Sequence, residues 1–191
     1  MKKKNRIIIV EGPQGTGKTT LANFLRENIA GSNLYRLSGQ KDKSVMGKEY
    51  SIAMYNALFD YMKKMEAIPM DLIFDRTFFT EEVYGRLGYK EYSFTDEYFS
   101  LLSRLNKLKY DIYYYSLYLD KVDLFRKRLE RPNHHQYQTF SIDNSVNQQK
   151  VYHDIACEIK EKTNIFVEEL AMDDFDKAYD FVCKQLKITR K

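Results

Sequence analysis

Three glycines and a Lys-Thr pair within eight residues limit what this chain can fold into. They lie in Gly12-Pro13-Gln14-Gly15-Thr16-Gly17-Lys18-Thr19, which fits G-x-x-x-x-G-K-[ST] and is flanked by Glu11 and Thr20. Gly12, Gly15 and Gly17 let the main chain turn tightly and bring N–H groups up to an anion without Cβ clashes. An apolar run, Ile7-Ile8-Ile9-Val10, leads in as a buried strand. After Thr19, residues Leu21, Phe24, Leu25 and Ile29 share one helical face, and Gly31 is a helix stop. A helix starting there adds its free N–H groups and the positive end of its dipole. Residues 12–20 are therefore the expected phosphate cradle. In that cradle Lys18 can reach the β- and γ-phosphates of a bound nucleotide, and the Thr19 hydroxyl can ligate Mg²⁺.

Composition narrows the class. A chain of 191 residues with 43% apolar and 30% charged residues suits one soluble globular domain. The net charge of +4 suits phosphorylated small molecules and is too small to argue by itself for nucleic acid. With 16 Tyr, 12 Phe and no Trp, rings can fill a core or line a flat slot for a ring-shaped ligand. Cys157 and Cys183 are far apart and read as reduced, mostly buried thiols of a cytoplasmic protein. No apolar run approaches the ~18 residues that a membrane span needs. The basic start, Lys2-Lys3-Lys4, runs into the first strand without a cleavage-site pattern and reads as a solvated tail.

The remaining elements alternate. Leu34-Tyr35-Arg36-Leu37 reads as a second strand and residues 38–43 as a polar loop. Across residues 45–68, Ile52, Tyr55, Leu58, Phe59 and Met62 recur at helical steps before Pro69. Leu72-Ile73-Phe74 is a third buried strand that delivers Asp75 and Arg76 at its carboxyl end. Helices are predicted at 77–87 and 95–108, and a Tyr-rich fourth strand at 111–120. A basic helix at 122–131 stops at Pro132, and a polar loop spans 133–141. A helix at 144–163, a short strand at 165–167 and a closing helix at 172–186 complete the chain. The alternation predicts an α/β fold: a five-stranded parallel sheet covered by helices on both faces through right-handed crossovers. Ligands of such sheets sit beyond the carboxyl ends of the strands, where residues 12–19, Asp75-Arg76 and the loop after Leu37 all fall.

Asp75-Arg76 is the second signal. The carboxylate can hold Mg²⁺ or its water shell, or orient a hydroxyl acceptor, and the guanidinium can grip a phosphate two-pronged. Here the chain resembles the thymidylate kinase and deoxynucleoside kinase family. Val10-Glu11-Gly12 opens as those enzymes do. The stretch from Asp75-Arg76-Thr77 through Phe78, Phe79 and Thr80 to Val83-Tyr84 looks like their Asp-Arg motif. Leu119-Asp120 followed by Arg126, Arg128 and Arg131 looks like their fourth strand and its basic helix.

The resemblance implies a three-layer P-loop NTPase fold of the nucleotide-kinase type over a single domain, 1–191. It implies phosphoryl transfer from ATP·Mg²⁺ to a nucleoside or nucleotide. Lys18 and Thr19 would bind the ATP phosphates and the metal, Asp75 would assist the metal or the acceptor, and Arg76 would hold the acceptor phosphate. Arg128 and Arg131 would belong to a lid around 124–142, and Phe78, Phe79 and Tyr84 would lie near the acceptor base. Arg36 loosely echoes an Arg-Glu-Pro segment on the acceptor side. Relatives of this kind are often homodimers. Two departures stand out: Gln14 replaces an acidic residue usual in thymidylate kinases, and Asp75-Arg76-Thr77 stands where deoxynucleoside kinases have Glu-Arg-Ser.

Two other readings compete. A P-loop kinase could phosphorylate a hydroxyl on nucleic acid, at a strand end or a modified base, although no continuous basic stripe supports this. A non-catalytic nucleotide-binding module is the other, and the Asp-Arg motif argues against it. His134-His135 reads as solvated rather than metal-binding, and Tyr113-Tyr114-Tyr115 as part of a buried strand rather than a stacking platform.

Overall fold

A computed structural model describes residues 4–129 and 141–190. Arg131, His134-His135, Lys2-Lys3 and the centre of the expected lid lie outside the described residues.

The isoleucine run forms β1 (Arg6–Glu11), and the glycine loop delivers the chain into α1 (Lys18–Asn28). Next come β2 (Ser32–Arg36), α2 (Val45–Met65), β3 (Asp71–Asp75), α3 (Phe78–Arg86) and α4 (Thr95–Asn106). The chain continues through β4 (Asp111–Tyr118), α5 (Val122–Leu129), α6 (Ile142–Lys162), β5 (Phe166–Ala171) and α7 (Phe175–Leu186). The five strands form one sheet in the order β2-β3-β1-β4-β5, with every pairing parallel. The three-layer α/β architecture expected from the alternation is the one observed. Caps set several boundaries: Ser141 accepts the Asn144 N–H at the start of α6, and Asp174 accepts those of Asp176 and Lys177 at the start of α7. α7 therefore begins later than its apolar pattern alone suggests.

The period-2 geometry of the strands divides the core between two faces. Ile7, Ile9, Leu72, Phe74 and Tyr114 face α2, α3, α4 and α6. Ile8, Val10, Ile73, Tyr115 and Leu117 face α1, α5 and α7. Tyr114 and Tyr115 are fully buried on opposite faces of β4, so the tyrosine run is a core strand. Cys183 is buried, but Cys157 is exposed, which corrects the expectation for that thiol; both are free. Among the described residues no helix is long and apolar enough to cross a membrane.

The amino end of the sheet carries a buried ion pair. Arg6 donates to Asp71 from its main-chain N–H at 2.7 Å and from Nε at 2.8 Å, and its Nη1 donates to the Leu186 carbonyl at 2.8 Å. That clamp ties the starts of β1 and β3 to the end of α7. It lies at the end of the strands opposite to the phosphate loop.

Candidate active site

β1 ends in the loop at residues 12–17, whose shape depends on glycine at two tight points. Gly12 has φ 137°, and a Cβ there would come 2.5 Å from the Leu117 carbonyl oxygen on β4. Gly17 has φ 96°, and a Cβ there would lie 2.8 Å from the Phe175 ring. Neither space nor backbone admits a side chain at these positions. Inside the loop the Pro13 carbonyl accepts the Thr16 hydroxyl at 2.8 Å and the Lys18 ammonium at 2.6 Å. Among the described residues the main-chain N–H groups of Gly15, Gly17, Lys18 and Thr19 form no hydrogen bond. They form a ring of uncommitted donors at the head of α1, the geometry of an anion cradle. Gln14 borders the loop half-buried, and Thr20 points outward, exposed, one residue into the helix.

The Thr19 hydroxyl donates to Asp75 Oδ2 at 2.7 Å, which joins the loop to the end of β3. Asp75 is buried, and its Oδ1 has no hydrogen-bond partner among the described residues. A buried carboxylate oxygen left without a donor, beside a threonine hydroxyl at a phosphate loop, suits a hard cation that takes oxygen ligands. Thr19 and Asp75 thus fit Mg²⁺.

Arg76 follows in a left-handed conformation, φ 73°, which a residue with a side chain adopts only when its surroundings hold it there. Its N–H donates to the Val10 carbonyl at 3.1 Å. Among the described residues its guanidinium makes no hydrogen bond and no ion pair. Burial works against its charge, but the Tyr84 and Tyr152 phenols and the Asp75 and Glu11 carboxylates more than offset this and hold its pKa above the ordinary value. Lys18 shows the opposite balance. Burial and the neighbouring Arg76 charge lower its pKa well below that of an ordinary lysine, against the pull of Asp75 and Glu11. A polyanion set between these two cations would favour the charged form of Lys18.

The other expected site residues divide. Tyr84 stays close to Arg76 and to Gly39 in the loop after β2. Phe78 and Phe79 do not: they are 1% and 0% exposed, stacked on each other at 4.2 Å, with Phe79 edge-on to Tyr114. They are core residues behind the site, because the first turn of α3 is sunk into the sheet face. Arg36, at the exposed end of β2, bonds Asn23 of α1. Arg128 donates to the Gly15 and Thr16 carbonyls at 3.2 and 3.4 Å and to Met172 at 2.8 Å, with its guanidinium 4.7 Å from the centre of the Phe175 ring. It braces the phosphate loop from outside through the loop's carbonyls.

Three groups escaped the sequence reading. A buried ion pair, Lys90–Glu81 at 2.7 Å, holds the loop after β2: Glu81 accepts the Gln40 N–H, and Lys90 donates to the Gln40 carbonyl. Phe175 floors the phosphate loop. Glu11, which stood out only as part of the Glu-Gly opening, is fully buried. Its position continues the alternation of Ile7 and Ile9, and that was the available signal.

Burial pushes the Glu11 carboxyl up to about 7, even though hydrogen bonds from Thr80 and Thr77 and the Arg76 and Lys18 charges pull the other way. A carboxyl raised in the fold contributes stability fully below its ordinary pKa and loses that contribution as pH rises through its folded value. Glu11→Gln abolishes the loss. Relative to wild type the variant should gain roughly 2–3 kcal/mol between pH 5 and pH 8 in urea melts. A constant difference at the two pH values would show that Glu11 does not titrate near neutrality.

No family model and no curated protein matches this sequence. Solved structures do. A thymidylate kinase from Candida albicans aligns with TM-score 0.65 at 15% identity over 96% of this chain and 93% of its own. YorR from Bacillus subtilis, solved in complex with phosphorylated GDP, aligns with TM-score 0.63 at 17% identity over 95% and 96%. A deoxyadenosine kinase from M. mycoides with bound dCTP aligns with TM-score 0.60 at 15% identity over 95% and 98%. The chain has the fold of the P-loop nucleotide and nucleoside kinases.

Proposed function

We propose that this protein is a cytoplasmic ATP- and Mg²⁺-dependent kinase that phosphorylates a nucleoside monophosphate or nucleoside, with thymidylate the first acceptor to try. The observation that carries the reading is the uncommitted Arg76 guanidinium beside the Thr19–Asp75 pair, both at the rim of a cradle of free main-chain donors. An unpaired guanidinium at that spot suits an acceptor that already bears a phosphate. The fold shared with thymidylate and deoxyadenosine kinases supports the same class.

Phosphoryl transfer asks for in-line placement and charge compensation rather than covalent work. The N–H groups of Gly15, Gly17, Lys18 and Thr19 would grip the donor's phosphate tail, and Lys18 would follow the charge that builds on the transferred group. Thr19 and Asp75 would hold Mg²⁺, which would supply positive charge to offset that of the phosphates. Arg76 would orient the acceptor, and Tyr84 and the loop pinned by Lys90 and Glu81 would wall its pocket.

The test is a screen of nucleosides, nucleoside monophosphates and oligonucleotides with labelled ATP. Label carried only by oligonucleotides would favour the nucleic-acid reading, and ATP hydrolysis that no acceptor stimulates would favour a binding module. Arg76→Lys should raise acceptor KM roughly tenfold or more and leave ATP KM within about twofold, because an ammonium cannot reproduce the two-pronged grip. Unaltered acceptor kinetics would remove Arg76 from the acceptor site.

A further inference from the structure

The turn that presents Arg76 is held from behind by two consecutive residues of β1. The Val10 carbonyl takes the Arg76 N–H, and the Glu11 Oε1 takes the Thr77 N–H at 2.6 Å and the Thr77 hydroxyl at 3.2 Å. The other oxygen of Glu11 accepts the Thr80 hydroxyl at 2.8 Å and the Tyr152 hydroxyl at 3.3 Å. One buried carboxylate therefore gathers the end of β1, the β3–α3 turn, the first turn of α3 and the middle of α6. Thr77 is locked in an extended conformation directly after left-handed Arg76. Without a fixed acceptor for the Thr77 N–H, the strained bend would relax toward ordinary backbone, and the guanidinium would swing with it.

We propose that Glu11 is a positioning residue for Arg76: by holding the Thr77 amide it fixes the bend that aims the guanidinium at the acceptor. This rests on reading the site as an acceptor site for phosphoryl transfer. The ionised carboxylate satisfies four donors, whereas a proton on either oxygen displaces one of them. The charged and titratable groups acting on Glu11 come from every neighbouring element: Lys18 of α1, Arg76 of the turn, Tyr55 of α2, Tyr84 of α3, Tyr114 of β4 and Tyr152 of α6.

Three variants and two readouts test this. Glu11→Ala should raise acceptor KM tenfold or more and leave ATP KM within twofold. Glu11→Gln, whose carbonyl oxygen can still take the Thr77 N–H, should restore acceptor KM. The ratio of wild-type to E11Q acceptor kcat/KM should stay level as pH drops below 7, because a carboxyl protonated on Oε2 keeps Oε1 for the Thr77 N–H just as the amide does; the acceptor's own ionisation cancels in this comparison. If E11A does not fold, Glu11→Asp carries the same expectation, since it draws the carboxylate back by one methylene. Independently of turnover, the Arg76 Nε resonance in nitrogen-15 spectra of the nucleotide-free protein should move in E11A or E11D and stay in place in E11Q. An E11A enzyme with wild-type acceptor KM, or an Arg76 resonance that the variants leave unmoved, overturns the inference. A wild-type protein that phosphorylates no acceptor strikes the proposed function instead, and the Arg76 resonance still decides the role of Glu11.

Discussion

Lys18→Ala should slow ATP-dependent phosphoryl transfer by about a thousandfold or more while the protein stays folded. The kinetic loss is large because no other ammonium stands in the loop to follow charge onto the moving phosphoryl group. The structural loss is small for two reasons. The Lys18 side chain gives the loop one hydrogen bond, to the Pro13 carbonyl, which also keeps the Thr16 hydroxyl. Burial already works against the Lys18 charge, so truncation removes a desolvated cation from the fold. Single-turnover kinetics with saturating acceptor and a circular dichroism melt make the comparison. A variant that keeps a near-normal rate would end the case for Lys18 as the phosphate ligand.

The second large effect lies at the opposite end of the sheet and concerns stability alone. Asp71→Ala should cost about 3–5 kcal/mol, because it strands the buried Arg6 guanidinium without its carboxylate. Urea melts of the variant should show the midpoint drop, while kcat of the folded fraction stays at the wild-type level. The clamp joins the starts of β1 and β3, and the site sits beyond their far ends. A loss under about 1 kcal/mol would mean that Arg6 finds another partner or water. A fall in kcat would mean that strain at one end of the sheet reaches the other.

Most of the architecture was legible in the sequence because its signals are local. The isoleucine run, the glycine spacing and the helical repeat from Ile52 to Met62 each state their own geometry. The apolar run at 165–167 marks only part of β5, which runs from Phe166 to Ala171 and takes in Glu168 and Glu169. As an edge strand β5 is bonded on one side only, opposite Tyr115 and Ser116, and so tolerates them. The misjudged rings have a different cause. Two phenylalanines after Arg76 look the same whether they face a ligand or a core, and only the way α3 sinks against Tyr98 and Tyr114 decides it. Arg128 touches Gly15 across 113 residues of chain, a contact that no spacing rule could disclose. Glu11 was visible as a letter in a motif, but its role depends on Thr77, Thr80 and Tyr152 arriving from two distant segments.

The strand order has a dynamic consequence. β1 and β3, which carry the loop and Asp75, each have neighbours on both sides, whereas β2 and β5 form the two margins. Thermal fraying of a sheet begins at its margins, where half the ladder is missing, and reaches interior strands only as the domain opens as a whole. Residues 12–19 and Asp75 are therefore mounted on interior strands of the sheet, and the margins can breathe without moving them.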